Sequence, residues 1–377
     1  MKQVYLMIYD LGGGHRSIAN ALHEVIKQRN LPWQVHIVEF FRDVIGTDAP
    51  HNVYNNFVLK KKWAQVINEP ILVPSFKLQV RLRYQAWRSL MEKYWQENQP
   101  DIVVSLLPYV NKLLKDSLDR TFPQTTFVTC MTDFADVPPN FWLEPQEQFL
   151  ICPSQTAVEQ AQSYNCREMN IIQTSGVVIH PRFNEPKNCD RAKERKSLGL
   201  DPDLHTGLIV FGSYGSPEMI KIAEILKKSA LKLQLIFICG RNEELAKTLR
   251  NMESCQPKLI EGFTKKISYY MDLADFFIGK PGSVGISEAV AKELPVITKC
   301  DNFTLFQERY NTKWIADNEF GIVVDDFHNI NQAVTELIDA KNFARYQSNI
   351  KAYNNRAVFE VVDSLETILE TSRTKIA

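Results

Sequence analysis

Residues 275–298 read DFFIGKPGSVGISEAVAKELPVIT, and this stretch decides the fold because it shows a strand, a turn, a helix and a second strand in order. The apolar run Phe276–Ile278 suits a buried parallel strand, which proline and glycine then interrupt. Helical spacing over residues 286–294 follows, and Pro295 opens another apolar run. This order is typical of an α/β protein with a parallel sheet.

The turn inside this stretch is a candidate anion site. Free backbone N–H groups and the positive end of a helix dipole meet where a glycine loop enters a helix, and such a spot suits a diphosphate. Glu288, on the first turns of the helix, is placed to accept hydrogen bonds from hydroxyls of a sugar or ribose. Alternatively, the glycines serve close packing and Glu288 only complements the helix N-terminus. The turn residues are Gly282, Ser283, Val284 and Gly285.

Length and composition limit the classes of protein to consider. A chain of 377 residues suits two α/β domains. Lys and Arg number 44 and so do Asp and Glu, so no overall field draws the chain to nucleic acid. The seven cysteines are scattered and form no C-x-x-C pair, which argues against a disulfide framework and a zinc site and favours a reducing cytosol.

Hydropathy predicts a cytoplasmic protein that does not span a membrane. Asp10 and the glycines after it cut the first apolar run short of a signal-peptide core. No other run approaches the roughly 20 apolar residues that a membrane span needs. We therefore expect a chain that can lie on a membrane but does not cross it.

A second glycine loop follows the first predicted strand, Val4–Tyr9. Gly12, Gly13 and Gly14 let a ligand approach the backbone closely, and His15 follows them at the start of a helix over 18–27. The helix dipole disfavours the charged imidazole there, which keeps a potential general base neutral. A histidine can equally be structural or merely exposed.

Asp133 follows a predicted strand over 127–132. Ligands bind at the carboxyl ends of strands in open α/β sheets, so Asp133 is placed to orient His15 or to hold an acceptor hydroxyl. It is equally suited to cap the next turn, and the local sequence leaves both readings open.

The second half of the chain adds further glycine turns after predicted strands. Gly212, Ser213, Tyr214 and Gly215 follow the strand 206–211, and Gly240 and Arg241 follow the strand 233–239. Together with the turn at 281–285, they are expected to open on one edge of a parallel sheet, in the crevice where such sheets bind ligands.

Residues 48–97 interleave basic and aromatic side chains. A segment at a membrane interface needs this composition, because aromatic rings settle at headgroup depth while cations meet anionic lipid. Core packing is the alternative for part of it, since Val80, Tyr84, Trp87 and Met91 fall at helical spacing. The predicted membrane contacts are Lys60, Lys61, Lys62 and Trp63.

A proline-bearing connection at residues 179–187 divides the chain nearly in half. It predicts an N-terminal acceptor-binding domain over 1–180 with the membrane-facing segment, a nucleotide-binding domain over 181–350, and a C-terminal helical segment over 351–377.

The motifs, in this order and spacing, resemble those of the GT-B glycosyltransferases over nearly the whole chain. The resemblance is strongest to the monogalactosyldiacylglycerol and diglucosyldiacylglycerol synthases and extends to the transferase that adds N-acetylglucosamine to a lipid-linked peptidoglycan precursor. It rests on 12–17 (GGGHRS), Thr132-Asp133, the linker 176–183, 239–242 (CGRN), Gly262-Phe263, 280–289 with Pro295, and Gln307-Glu308 with Asn311.

This resemblance implies two Rossmann-like domains facing across a cleft and an inverting transfer of a hexose from a UDP-sugar to a lipid. It implies that His15 is the general base, that the uracil lies near Gly262 and Phe263, and that Glu288 binds the ribose. The diphosphate would lie at 213–215 and 283–285 and the hexose on Gln307 and Glu308, and Gly14 and Arg241 are further residues expected to bind the donor. No metal cofactor is expected, and the partners implied are a UDP-sugar, a lipid acceptor and the anionic inner face of the membrane.

Two other functions stay open at this stage. A UDP-sugar 2-epimerase shares the fold but has no need of an interfacial basic and aromatic segment. A non-catalytic scaffold is the other alternative, and the presence of His15, Glu288, Gln307 and Glu308 together argues against it.

Overall fold

The computed structural model describes residues 1–10, 13–48, 73–164, 166–186 and 189–374. The chain divides into two compact units, each with its own sheet. The domain limits predicted at residues 180 and 350 stay a prediction, and the segment predicted over 351–377 joins the first unit from Arg356 onward. The first unit comprises Met1–Pro181, Leu305–Tyr310 and Arg356–Ala377, and the second comprises Arg182–Thr304 and Asn311–Asn355.

The first unit is built on a six-stranded parallel sheet with the strand order β2-β1-β3-β4-β5-β6. β1 lies between β2 and β3, so Leu6 is opposite Ile37 on one side and Val104 on the other. The strand order therefore reverses beside β1, where open α/β sheets form their ligand crevice. The strands are Lys2–Ile8 (β1), Trp33–Glu39 (β2), Ile102–Ser105 (β3), Thr126–Cys130 (β4), Phe149–Cys152 (β5) and Ile171–Gln173 (β6).

The helices of the first unit pack through their apolar faces. In α1, Ile18, Leu22 and Val25 are buried on one side, at the spacing of an amphipathic helix. Arg29 pairs with Asp363 and Glu366, which ties the end of α1 to the last helix. The helices are Gly14–Gln28 (α1), Val73–Asn98 (α2), Asn111–Thr121 (α3), Gln155–Ser163 (α4) and, at the C-terminal end, Ala357–Thr374 (α13), with a short π-helical segment at Phe40–Ile45.

The second unit carries another six-stranded parallel sheet, ordered β12-β11-β10-β7-β8-β9. β7 lies between β8 and β10, with Leu208 opposite Ile236 and Phe277, so this order also reverses at its first strand. The turns after β7 and β10 consequently share one crevice. The strands are His205–Val210 (β7), Leu233–Ile238 (β8), Lys258–Glu261 (β9), Phe276–Gly279 (β10), Val296–Lys299 (β11) and Gly321–Val324 (β12).

Along the chain, the helices of the second unit lie before, between and after its strands. Asp275 anchors the first of them at the entry to β10, because its carboxylate accepts from Arg191 at 2.6 Å and from Arg195 at 2.8 Å. The helices are Arg191–Ser197 (α5), Glu218–Leu226 (α6), Glu243–Asn251 (α7), Ile267–Leu273 (α8), Ser283–Ala291 (α9), Phe306–Asp317 (α10, whose first residues belong to the first unit), Ile330–Ile338 (α11) and Ala340–Ala352 (α12).

The prediction of two α/β units with parallel sheets is confirmed, and one predicted helix boundary is wrong. β6 ends at Gln173, and Ser175 donates its N–H to Glu360 of α13 at 2.7 Å instead of continuing the ladder. The helix predicted over 286–294 begins at Ser283, so Gly285 lies inside its first turn. The sequence reading also passed over α3, α7 and α10.

Candidate active site

His15 lies in the first turn of α1, beside the point where the first sheet reverses its order. Gly13 caps this helix in the left-handed conformation, with φ of 90°, which glycine adopts without steric cost. The helix then begins at Gly14, which makes His15 its second residue. Gly12 lies outside the described residues.

Burial lowers the pKa of His15 to about 4, while the Tyr9 backbone and the Asp10 carboxylate act in the opposite direction. The ring is partly exposed, but Nδ1 is buried and has no hydrogen-bond partner among the described residues. The imidazole is therefore neutral at pH 7, as expected for a proton acceptor, and desolvation is the main cause of its low pKa.

Asp133 lies just beyond β4 and contacts an indole. Its Oδ2 accepts a hydrogen bond from Trp142 Nε1 at 3.2 Å. The Trp142 ring meets the His15 ring edge to face, with centroids 6.4 Å apart. The sequence left open whether Asp133 orients His15, holds an acceptor hydroxyl or caps a turn, and in the structure Trp142 contacts both Asp133 and His15.

The loop that carries Trp142 is held by a carboxylate that the sequence reading missed. Asp136 is buried and accepts hydrogen bonds from the backbone N–H groups of Asn140 at 2.9 Å and of Trp142 at 2.5 Å. An acidic residue three positions after Asp133 was visible in the sequence, but nothing local showed that it folds the loop back on itself.

The turns after β7 and β8 are packed against each other. Gly212 and Gly215, on either side of Ser213 and Tyr214, have φ of 74° and 60°. Gly240 has φ of 59°, and a β-carbon on it would stand 2.2 Å from the Ser213 carbonyl oxygen. Arg241 donates its N–H to that same oxygen at 2.8 Å. Only glycine therefore fits at residue 240.

An exposed aromatic ring stands at the carboxyl edge of β8 and β9. Phe263 is 54% exposed, and the Arg241 guanidinium lies over its ring at 5.0 Å from the centroid. Gly262 leaves the adjacent backbone open, because the nearest atom to a β-carbon built there is 3.8 Å away. A ring held in this way offers a flat face to a planar ligand.

The start of α9 combines open backbone with a tethered turn. Gly282 precedes the helix without a side-chain cap, Ser283 is buried, and a β-carbon on Gly285 would meet no atom within 4 Å. Asn311 donates from Nδ2 to the Pro281 carbonyl oxygen at 2.8 Å and so holds the turn. The first-turn N–H groups, with that of Val284 among them, are of the kind that can bind an anion.

Glu288 lies on α9 and is unusual for a carboxylate. Burial raises its pKa to about 8, and only Arg182 acts against this. Arg182, which the sequence reading did not single out, donates from Nη1 to the Lys265 carbonyl oxygen at 3.1 Å. Its signal was present in the linker motif, where it follows Pro181.

Gln307 and Glu308 lie in the first turn of α10 and belong to the first unit. Glu308 is buried and donates its N–H to the Leu305 carbonyl oxygen at 2.8 Å. The Gln307 Oε1 atom is buried without a hydrogen-bond partner among the described residues. An unpaired buried amide oxygen is costly and is expected where a ligand supplies the donor.

Two further predictions concern the membrane contacts and the metal ion. The predicted membrane contacts Lys60, Lys61, Lys62 and Trp63 lie outside the described residues. Within the described part of the chain, no cluster of three or more His, Cys, Asp or Glu side chains is arranged to hold a metal ion.

Comparison with known proteins points to one enzyme family. The family model for monogalactosyldiacylglycerol (MGDG) synthase matches residues 15–179. The chain is 26% identical over 394 residues to the chloroplastic monogalactosyldiacylglycerol synthase of Spinacia oleracea, covering 98% of this chain and 73% of the relative. The chain has the GT-B fold and is similar to the monogalactosyldiacylglycerol synthases, and these matches support a glycosyltransferase.

Solved structures support the fold of this glycosyltransferase. MurG of Acinetobacter baumannii superposes with a TM-score of 0.65 at 14% identity, covering 97% of this chain and all of MurG. The Anabaena protein HepE in complex with UDP-glucose has a TM-score of 0.56 at 12% identity and covers 98% of this chain and all of HepE. The relation to enzymes favours a glycosyltransferase over a non-catalytic scaffold.

Proposed function

We propose that the chain transfers a hexose from a UDP-sugar to a hydroxyl of a lipid acceptor such as diacylglycerol, with inversion at the anomeric carbon. The state of His15 carries this proposal. A neutral imidazole at the carboxyl edge of a parallel sheet, on a residue that is partly exposed, is suited to receive a proton. The name of the spinach relative supports galactose and diacylglycerol as the first pair to test.

In the proposed step the acceptor oxygen attacks the anomeric carbon while its proton passes to His15. The bond from that carbon to the diphosphate oxygen breaks, and its electron pair leaves with UDP. Asp133 acts through Trp142 on the orientation of the base, because the indole contacts both side chains. His15 then returns the proton to solvent.

The second unit supplies the proposed nucleotide part of the donor site. The open first turn of α9 and the turn at 212–215 lie at one crevice and suit the diphosphate. Phe263, held by Arg241, suits the uracil, and Glu288 suits the ribose hydroxyls. Gln307 and Glu308 are proposed to bind the hexose, as the motif resemblance implies.

We propose that the reaction needs no metal ion. The leaving diphosphate gains negative charge, and preorganised N–H groups at a helix start can stabilise that charge directly. Activity in the presence of EDTA tests this point separately from the rest.

We also propose a cytoplasmic protein that works on the inner face of a membrane. None of the described helices is both long enough and apolar enough to cross a bilayer. A lipid acceptor brings the reaction to a membrane surface, and a peripheral protein can reach it from one side.

The test is a transfer assay with radiolabelled UDP-galactose, UDP-glucose and UDP-N-acetylglucosamine, diacylglycerol vesicles and EDTA. We expect label in the lipid fraction from one donor, with UDP released in equal amount. UDP release without lipid label, together with a sugar inverted at C2, would instead indicate an epimerase. If no donor reacts and none binds by calorimetry, the proposed function is wrong.

A further inference from the structure

Phe306, the first residue of α10, is buried in the core of the first unit. Its side chain is 4% exposed and packs in one apolar cluster with Met131, Phe141 and Leu150. Along the chain, however, Phe306 lies between β11 and β12, which are strands of the second sheet. The start of α10 is therefore held by the first unit, although the strands on either side of it in the sequence belong to the second.

A second contact fixes the same turn of α10. The Tyr310 hydroxyl donates a hydrogen bond to Thr156 Oγ1, at the start of α4, at 2.6 Å. Phe306 and Tyr310 are four positions apart, so they share one face of the helix. Gln307 lies between these two anchors in the chain and is partly exposed. Its position therefore depends on both contacts.

Phe306 packs against the loop that carries Trp142. The rings of Phe306 and Phe141 meet edge to face, with centroids 5.5 Å apart and an angle of 85° between the ring planes. Phe141 is itself fixed, because its carbonyl oxygen accepts the Tyr109 N–H at 2.8 Å. Aromatic pairs have preferred geometries, so this contact fixes the orientation of the helix start as well as its distance from the loop.

The same series of rings continues to the proposed base. The ring centroids of Phe141 and Trp142 are 5.6 Å apart, and those of Trp142 and His15 are 6.4 Å apart. Phe306 is thus joined to His15 by ring contacts that all lie inside the first unit. The start of α10 and the proposed base are therefore held by one set of aromatic side chains.

We propose that Phe306 is a positioning residue for the hexose of the donor. It holds Gln307 and Glu308 against the loop of Phe141 and Trp142, so that selectivity for the hexose depends on an aromatic contact in the first unit. This inference rests on the proposed function, since it takes Gln307 and Glu308 as the residues that bind the hexose.

A purely structural role for Phe306 makes a different prediction. Loss of a core ring lowers the free energy of unfolding but leaves the ligand selectivity of the folded protein unchanged. A positioning role instead predicts a loss of affinity confined to ligands that carry the hexose. UDP, which lacks the hexose, is the internal control, because its proposed contacts lie on the second unit.

Calorimetry of the full chain with UDP, UDP-galactose and UDP-glucose tests the proposal, and urea denaturation establishes that each variant is folded under the assay conditions. The variants are Phe306→Leu, Phe141→Leu, the double variant, and Tyr310→Phe, which removes only the hydroxyl that contacts Thr156. Phe127→Leu is the matched control, since Phe127 is 2% exposed in a different apolar cluster of the same unit.

We expect Phe306→Leu and Phe141→Leu each to weaken binding of the preferred UDP-hexose about three- to tenfold, with the Kd for UDP unchanged. Tyr310→Phe should weaken it about threefold. The double variant should lose less than the product of the two single losses, because both substitutions remove one contact. The ratio of kcat/KM for UDP-galactose to that for UDP-glucose should move toward one in these variants, and the Phe127 control should change none of these quantities.

Equal losses of affinity for UDP and for UDP-hexose, or no loss for either in Phe306→Leu and Tyr310→Phe, overturn the positioning role and leave the proposed transferase standing. If Phe306→Leu does not fold, Tyr310→Phe decides the question, because it keeps the aromatic ring. If wild type binds UDP but no UDP-hexose and transfers no sugar, the proposed function is wrong and this inference is overturned with it.

Discussion

Trp142 donates a hydrogen bond from its indole Nε1 to Asp133 Oδ2 at 3.2 Å, and the same ring meets His15 edge to face. Asp133 therefore contacts an indole that contacts the base. We propose that a carboxylate placed in this way affects the orientation of the imidazole through the indole. The loop held by Asp136 gives Trp142 its position, so the acceptor side of the site depends on residues well beyond the glycine loop.

Replacing Trp142 with Phe should slow turnover about tenfold while the Kd for UDP-sugar stays unchanged. The variant keeps an aromatic ring against His15 but removes the N–H that Asp133 accepts. Steady-state kinetics and calorimetry measure the two quantities. Asp133→Asn in the Trp142→Phe background should add less than it does alone, because both changes break one interaction. If the two substitutions lower turnover by fully additive amounts, Asp133 does not act through Trp142.

Gly285 and Gly240 should respond to alanine in opposite ways. Gly285→Ala finds open space inside a helix, so the free energy of unfolding should hold or rise by up to about 1 kcal/mol. Its methyl group would nevertheless stand where the diphosphate is proposed to approach, and donor affinity should fall at least about tenfold. Unchanged affinity would move the diphosphate away from α9.

Gly240→Ala should lower the free energy of unfolding by roughly 2 kcal/mol or more. The left-handed backbone costs energy with any β-carbon, and this one would stand 2.2 Å from the Ser213 carbonyl oxygen. Urea denaturation measures the change. A stable variant with normal donor binding would show that the close packing of the turns after β7 and β8 is needed neither for stability nor for donor binding.

Binding of UDP-glucose should tighten as pH rises from 6.5 to 8.5. Burial raises the pKa of Glu288 to about 8, and we expect only the ionised carboxylate to accept from both ribose hydroxyls. Each pH unit below 8 should therefore weaken binding up to about tenfold. The diphosphate of UDP-glucose is a diester and does not titrate in this range. Glu288→Gln should bind weakly at every pH, and a wild-type affinity independent of pH would exclude this role.

His15 should make the protein less stable in acid. Its pKa is about 4 in the folded chain and about 6.5 in an unfolded one, so the unfolded state binds more protons between these values. The stability it contributes is complete above pH 6.5 and falls as pH drops toward 4, by up to about 3 kcal/mol. The difference between wild type and His15→Gln in urea denaturation isolates this term. A constant difference across pH would contradict the burial of the ring.

The parallel sheets could be predicted from the sequence because several of their strands, such as β1 and β10, are apolar runs followed closely by glycine or proline. The stretch at 275–298 shows why, since Phe276–Gly279 is buried throughout. Helix α10 was missed because its first turn was read as a sugar-binding motif, and its apolar residues, such as Phe306 and Ile315, do not form a clear stripe.

The sequence predicted a site residue where a local motif determines its position, and failed where the position depends on contacts that form only in the folded chain. The glycine loop places His15 at a helix start by local rules alone. Trp142 contacts Asp133 because the loop between them folds back over nine positions. Arg182 acts on Glu288 of α9 although the two residues are 106 positions apart in the sequence. The burial that sets the pKa of Glu288 likewise belongs to the folded unit.

Single-turnover transfer by His15→Ala tests the central claim most directly. Wild type and variant are loaded with radiolabelled UDP-hexose and mixed with diacylglycerol vesicles, and donor affinity is measured by calorimetry on the same samples. We predict that donor binding is unchanged while transfer falls by a factor of roughly 100 or more, because the acceptor hydroxyl has lost its base. Transfer at the wild-type rate would remove His15 from the mechanism.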